Sequence, residues 1–111
     1  MRPLFWWLIM KILENQRDAN EWQDFIDLLK VAVKEDRLDE FFSCFLTPDE
    51  RESMGLRLRI VQALLKNDCS QREIQQKLNT SAATITRGSN MLKTLNPDFL
   101  VWINENLNGK A

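Results

Sequence analysis

Apolar residues recur along this chain at helical spacing, and polar breaks divide them into six segments. In 14–36, Trp22, Phe25, Ile26, Leu28, Leu29, Ala32 and Val33 fall on one wide stripe, with acidic residues on the other side. Residues 38–46, LDEFFSCFL, predict a short apolar helix. Thr47 as N-cap, Pro48 at the first helical position and Glu50 three residues after the threonine predict a helix over 48–66. Its inward side is expected to carry Met54, Leu58, Val61, Leu64 and Leu65, and Asn67-Asp68 ends it. Asn96-Pro97 starts a last helix by the same logic. Leu100, Ile103 and Leu107 form its apolar face, with Phe99 and Trp102 beside them, and a fraying tail follows. Alternating strand patterns are hard to find, so the fold class is all-α.

Residues 70–93, SQREIQQKLNTSAATITRGSNMLK, carry the most specific pattern. Ser70 and Glu73 have capping-box spacing, so a short helix starts at Gln71, with Ile74 and Leu78 on one face. Asn79-Thr80-Ser81 breaks it with residues that tolerate a left-handed turn. A second helix restarts at Ala82, capped by Thr80 or Ser81. Its apolar side is Ala82, Ile85 and Leu92; its donor-rich side carries Thr84, Thr86, Arg87, Ser89 and Asn90. Short helix, tight turn and second helix make a helix-turn-helix.

The net charge of −1 argues against a nucleic-acid partner, but its distribution does not. Residues 14–50 hold 4 Lys/Arg against 11 Asp/Glu, whereas residues 51–93 hold 8 against 3. The positive field therefore coincides with the helix-turn-helix, where phosphate would dock. Histidine is absent, which removes the commonest metal ligand and general base. Cys44 and Cys69 are too few and too far apart for a zinc site or a disulfide framework, and are expected to be reduced, packed thiols in a cytoplasmic protein. With no nucleophile–base pair and no phosphate loop, an enzyme is not expected.

Residues 1–13, MRPLFWWLIMKIL, differ from the rest. The run is too short to span a bilayer and no small-residue cleavage site follows. Three readings stand: a disordered or packing arm, upstream translation with Met10 as the true initiator, or membrane or export targeting. The organisation expected is an apolar arm over 1–13 and one domain over 14–111, with core helices in 14–66 and 97–108 and the helix-turn-helix in 70–93.

Taken together, LTPDERESMGLRLRIVQALL (46–65), SQREI (70–74) and ATITRGSN (83–90) strongly resemble the bacterial Trp repressors, and the similarity runs from about Glu21 to Leu107. The resemblance implies a six-helix intertwined homodimer that represses tryptophan biosynthesis genes when L-tryptophan binds as corepressor. It implies no cofactor beyond that ligand, and no membrane partner. Carried onto this chain, it implies that Arg57 and Arg87 sandwich the indole, with Arg87 also gripping the carboxylate. Thr47 offers a hydroxyl, and the carbonyls of Cys44 and Leu46 take the ammonium group. Thr84, Gly88 and Val61 line the pocket, Gly88 leaving room beside the ring. Met91 stands where the family carries a small serine, and Cys44 where it carries an apolar leucine. For DNA, Arg72 is expected to read a guanine, and Gln71, Thr84, Thr86 and Lys93 to hold phosphates, with Asn90 a weaker candidate. Ala82 and Ala83 belong to the part that faces the bases. Two rival readings are a ligand-independent DNA-binding relative and a membrane-associated interaction protein anchored by 1–13.

Overall fold

A computed structural model describes the backbone of residues 3–14 and 18–109. All regular structure among them is helical: α1 (Pro3–Glu14), α2 (Glu21–Lys34), α3 (Leu38–Phe45), α4 (Pro48–Lys66), α5 (Gln71–Leu78), α6 (Ala82–Leu92) and α7 (Pro97–Asn108). The chain divides into two compact units, Met1–Phe45 and Leu46–Ala111.

The all-α expectation holds, and five of the expected helices lie within a residue of their expected bounds. The first segment differs. The stretch read as one helix over 14–36 starts only at Glu21 and ends at Lys34; residues 15–17 of it lie outside the described residues. Asp18 accounts for the late start: its carboxylate accepts the Asn20 N–H at 2.9 Å, and its own N–H donates to Glu21 Oε1 at 3.0 Å. These local bonds close a turn that competes with helix. At the other end Asp36 takes a positive φ of 58° between α2 and α3. A seventh helix, α1, covers most of the N-terminal arm. The rest of the expected arm, and the expected tail at 110–111, lie outside the described residues.

In the first unit, α2 packs on α3 through aromatic rings. Phe25 meets Phe41 at 5.2 Å and Phe45 at 5.5 Å between centroids, and Phe41 meets Phe45 at 4.8 Å. Such tilted and edge-on pairs suit the ring quadrupoles. Only Ala32 and Phe41 are buried among the described residues of this unit.

The second unit is built on α4, which packs against α5, α6 and α7. Its centre is Ile60, Ile74 and Ile85, one from each of α4, α5 and α6, each 1% exposed. Leu56, Ala63, Leu64, Cys69 and Leu78 pack around them. The inward face of α4 is only partly the expected one: Leu64 packs on this centre, and Val61 and Leu65 are half-buried. Met54 and Leu58 are 47% and 43% exposed, and Ile60 takes the central place. Two apolar stripes run along this helix, and α6 selects the one that includes Ile60. α7 is tied to α4 by polar bonds as well: Gln62 Nε2 donates to the Leu107 carbonyl at 2.9 Å, and Asn108 Nδ2 to the Gln62 carbonyl at 3.1 Å.

Candidate nucleic-acid interface and ligand cleft

The turn between α5 and α6 is set by local chemistry. The Glu73 N–H donates to Ser70 Oγ at 3.1 Å, and the Ser70 N–H donates to Glu73 Oε1 at 3.1 Å, completing the capping box at the start of α5. The bonds from the Ser70 backbone and hydroxyl hold the Glu73 carboxyl below its ordinary range. Asn79 closes α5 at φ 51°, ψ 54°, the left-handed region. The Thr80 N–H reaches the Gln75 carbonyl at 3.2 Å and the Asn79 N–H the Gln76 carbonyl at 3.4 Å, the bond pair of a Schellman motif. Of the two expected caps of α6, Ser81 serves: its Oγ accepts the Thr84 N–H at 3.1 Å.

α6 then shows three faces. Ile85, Gly88, Ser89 and Leu92 turn to the interior, Ile85 and Gly88 fully buried and the other two half-buried. Ala82, Ala83, Thr86 and Asn90 are exposed, as are Gln71 and Arg72 in the first turn of α5 and Lys93 after α6. Ala82, expected on the apolar side, thus belongs to the open face. Arg72 makes no ion pair or side-chain hydrogen bond among the described residues. Gln71 and Lys93 flank one hollow of about 480 Å³ with Ser70 and Ser89, so a backbone N–H-rich helix start and an ammonium border the same space.

The third face, Thr84, Arg87, Gly88 and Met91, is spaced i, i+3, i+4, i+7. It opposes Ser53, Leu56, Arg57 and Ile60 of α4, which have the same spacing. Between them lies a cleft of about 440 Å³. Its floor is Leu56, Ile60 and Gly88; its rim carries two guanidiniums and two hydroxyls, and among the described residues no carboxylate lines it. Arg87 Nη2 reaches Thr84 Oγ1 at 3.4 Å, and Thr84 Oγ1 lies 2.8 Å from Ser81 Oγ. Neither arginine has an acidic partner among the described residues. Two uncompensated cations beside an apolar floor can take an anionic group attached to a flat apolar body.

Five of the nine residues expected at the ligand, Arg57, Thr84, Arg87, Gly88 and Met91, thus line one cleft. Val61 is half-buried on α4 and does not line it; Ile60, one position earlier, does. Leu46 and Thr47 do not line it either. Thr47 is the N-cap of α4: its Oγ1 accepts the Glu50 N–H at 3.1 Å, and Glu50 Oε1 accepts the Thr47 N–H at 2.9 Å. Cys44 belongs to the other unit and is exposed rather than packed. Ser53, Leu56 and Ile60 escaped the sequence reading, although counting four residues back and three forward from Arg57 reaches Ser53 and Ile60. Gly88 lines the cleft and also sets how closely α6 approaches α4. A Cβ there would lie 3.0 Å from Ile60 Cγ2 and 3.8 Å from Leu64 Cδ1, so its first effect is to let α6 approach α4.

Comparison with known proteins gives one answer. The model of the Trp repressor protein family matches residues 20–107. A Trp operon repressor homolog of Actinobacillus succinogenes is 54% identical over 95 residues, covering 86% of this chain and 94% of the relative. That of Haemophilus influenzae strain PittEE is 53% identical over 82% of this chain and 90% of the relative. That of Pasteurella multocida is 52% identical over 86% and 93%. The family match runs from the start of α2 into the last turn of α7, and the chain belongs to the Trp repressor family, a family of DNA-binding regulators rather than enzymes.

Proposed function

We propose that this protein is a homodimeric repressor of tryptophan biosynthesis genes, activated when L-tryptophan enters the cleft between α4 and α6. The observation that carries this reading is the pair Arg57 and Arg87, set on the rim of one apolar cleft with no acidic residue lining it among the described residues. An indole stacks between the guanidiniums, and the carboxylate of the same ligand meets Arg87. Met91, exposed at this rim, packs its flexible thioether against the ring.

A second copy of the chain completes the site. Thr47 lies ten residues before Arg57, about 15 Å along α4 at the usual helical rise. One copy therefore does not bring Thr47 to the ligand held by its own Arg57; Leu46 and Thr47 reach the cleft of the partner, and the carbonyls of Cys44 and Leu46 take the ammonium group. Exposed Trp22, Leu28, Val31 and Val33 in α2, and Phe99, Val101 and Trp102 in α7, supply the apolar surface for such a pairing.

The ligand acts on DNA through α6, whose one face lines the cleft while another is open. A ligand wedged against Arg87 fixes the angle of α5 and α6 on α4. Arg72 then reads a guanine edge, Ala82 and Ala83 approach the bases, and Gln71, Thr84, Thr86, Asn90 and Lys93 hold register on the backbone. By linkage, operator DNA raises tryptophan affinity by the same factor. Repression of this kind takes place in the cytoplasm, and no helix among the described residues is long and apolar enough to cross a membrane.

Isothermal titration with L-tryptophan, paired with operator binding with and without the amino acid, tests this. The expected result is saturable heat and tighter operator binding. Arg87→Ala is expected to weaken tryptophan binding by roughly tenfold to a hundredfold, the range of a lost charged hydrogen bond. No heat and no change in operator affinity would sink the corepressor reading and leave a ligand-independent DNA-binding protein.

A further inference from the structure

The root of α5 carries a second chemical cluster, away from the cleft. Cys69 is half-buried. It packs against the Ile60–Ile74–Ile85 centre and also lines a cavity of about 330 Å³ with Arg59, Lys66, Asp68 and Lys77. Lys77 Nζ donates to Cys69 Sγ at 3.1 Å, although the two residues are eight apart in sequence. The Asp68 carboxylate is lowered chiefly by a hydrogen bond from the thiol, and the Lys77 ammonium is raised chiefly by its bond to the sulfur. A thiol, an amine and a carboxylate therefore meet in one cavity, and Asp68 and Lys77 are exposed to solvent.

We propose that Cys69 and Lys77 form a reversible oxidation site, at which hydrogen peroxide turns their contact into a covalent sulfur–nitrogen bond. In the first step sulfur attacks one peroxide oxygen. The O–O bond breaks, Asp68 relays the thiol proton to the departing hydroxide, and sulfenic acid and water result. In the second step the Lys77 ammonium gives one proton to solvent, and its free Nζ attacks the sulfur as the S–O bond breaks. The hydroxyl leaves as water with a second nitrogen proton, and the product is a sulfenamide. No further oxidant is needed, because the peroxide has already taken the two electrons. The amine already touches the sulfur, so bond formation asks for no rearrangement of α5. Thiol reductants reverse it by attack on sulfur. Without the lysine, further oxidation would place a sulfinate against the isoleucine centre, where an unpaired charge is costly.

The test uses the full chain carrying Cys44→Ser, so that its two thiols cannot pair with each other. Treatment with hydrogen peroxide is expected to lower the intact mass by two hydrogens, and dithiothreitol to restore it. Tryptic mapping should find the bond after Lys77 uncut and the segment 67–72 joined to the peptide containing Lys77. Adding Lys77→Arg should abolish the link and give a gain of oxygen on Cys69 instead. Oxygen addition alone with normal cleavage after Lys77, or a link only between Cys69 residues of two chains, would overturn the proposal.

Discussion

α5 and α6 bury Ile74 and Ile85 against Ile60 so completely that each is 1% exposed, while α2 leaves Trp22 69% exposed beside the half-buried Phe25. The two regions are of similar size and both are helical. The helix-turn-helix closes its surface within one chain: a capping box starts α5, Ser81 caps α6, a left-handed asparagine fixes the turn, and one isoleucine from each of α4, α5 and α6 fills the centre. The α2–α3 pair packs aromatic rings on one another but covers little else. A helix pair with this much open apolar surface lacks the burial needed to offset its ordering entropy. The difference teaches where each region obtains its stability. α5 and α6 close their apolar surface on α4 of the same chain; α2 and α3 leave theirs open, and the proposed dimer would cover it.

The sharpest way to break this comparison is Trp22→Ala. On the surface of a lone chain such a change shifts stability by no more than about 0.5 kcal/mol. If a second copy covers the indole, as proposed, the cost is about 3–5 kcal/mol, the range for truncating a buried tryptophan. The melting temperature should then rise with protein concentration, and more steeply for the variant. Thermal melts of both proteins over a hundredfold dilution series decide it; a variant that melts like the parent at every concentration would place Trp22 in water and remove the contrast.

Ile85→Ala probes the other side. It deletes a fully enclosed side chain between α4, α5 and α6, and is expected to cost about 2–5 kcal/mol. Because Ile85 holds α5 and α6 on α4, the loss should fall on those two helices first. Amide exchange in 71–92 should accelerate by more than in 21–34, whereas uniform acceleration would mean that the two regions unfold as one.

What the sequence disclosed follows the same division. Ser70 with Glu73, Thr47 with Glu50, and Asn79 act within a few residues of themselves, so their spacing alone announced α4, α5 and the turn. Asp18 also acts locally, but its bonds lie inside an otherwise helical pattern, and the apolar stripe masked them. The face of α4 was only partly legible. Met54 and Leu58 have the same periodicity as Leu56 and Ile60, and the choice between the two stripes is made by α6, where Gly88 leaves space for Ile60 Cγ2. The cleft shared that fate. Its two arginines stood out through the family resemblance, while Ser53, Leu56 and Ile60 emerged only when two helical faces were set opposite each other.

The smallest expected effect concerns the capping box of α5. Ser70→Ala removes the hydroxyl that accepts the Glu73 N–H and should cost about 1 kcal/mol, the usual value of a lost N-cap. The pH dependence separates the cap from simple packing. Glu73 is lowered from its ordinary value of 4.5, first by the backbone N–H of Ser70 and then by its hydroxyl. A carboxyl lowered by folding binds fewer protons in the native state than in the unfolded one. Its contribution is therefore complete above 4.5 and is lost as the pH falls through the lower folded value. Glu73→Gln keeps an oxygen that accepts from Ser70 but does not titrate, so its acid-side stability loss should be smaller than that of the parent chain. Urea titrations of parent, Ser70→Ala and Glu73→Gln, at neutral pH and again below 4.5, measure both effects. A Glu73→Gln chain that loses as much stability in acid as the parent would show that the capping box adds nothing through charge, and that the start of α5 is held by its uncharged hydrogen bonds and the isoleucine centre.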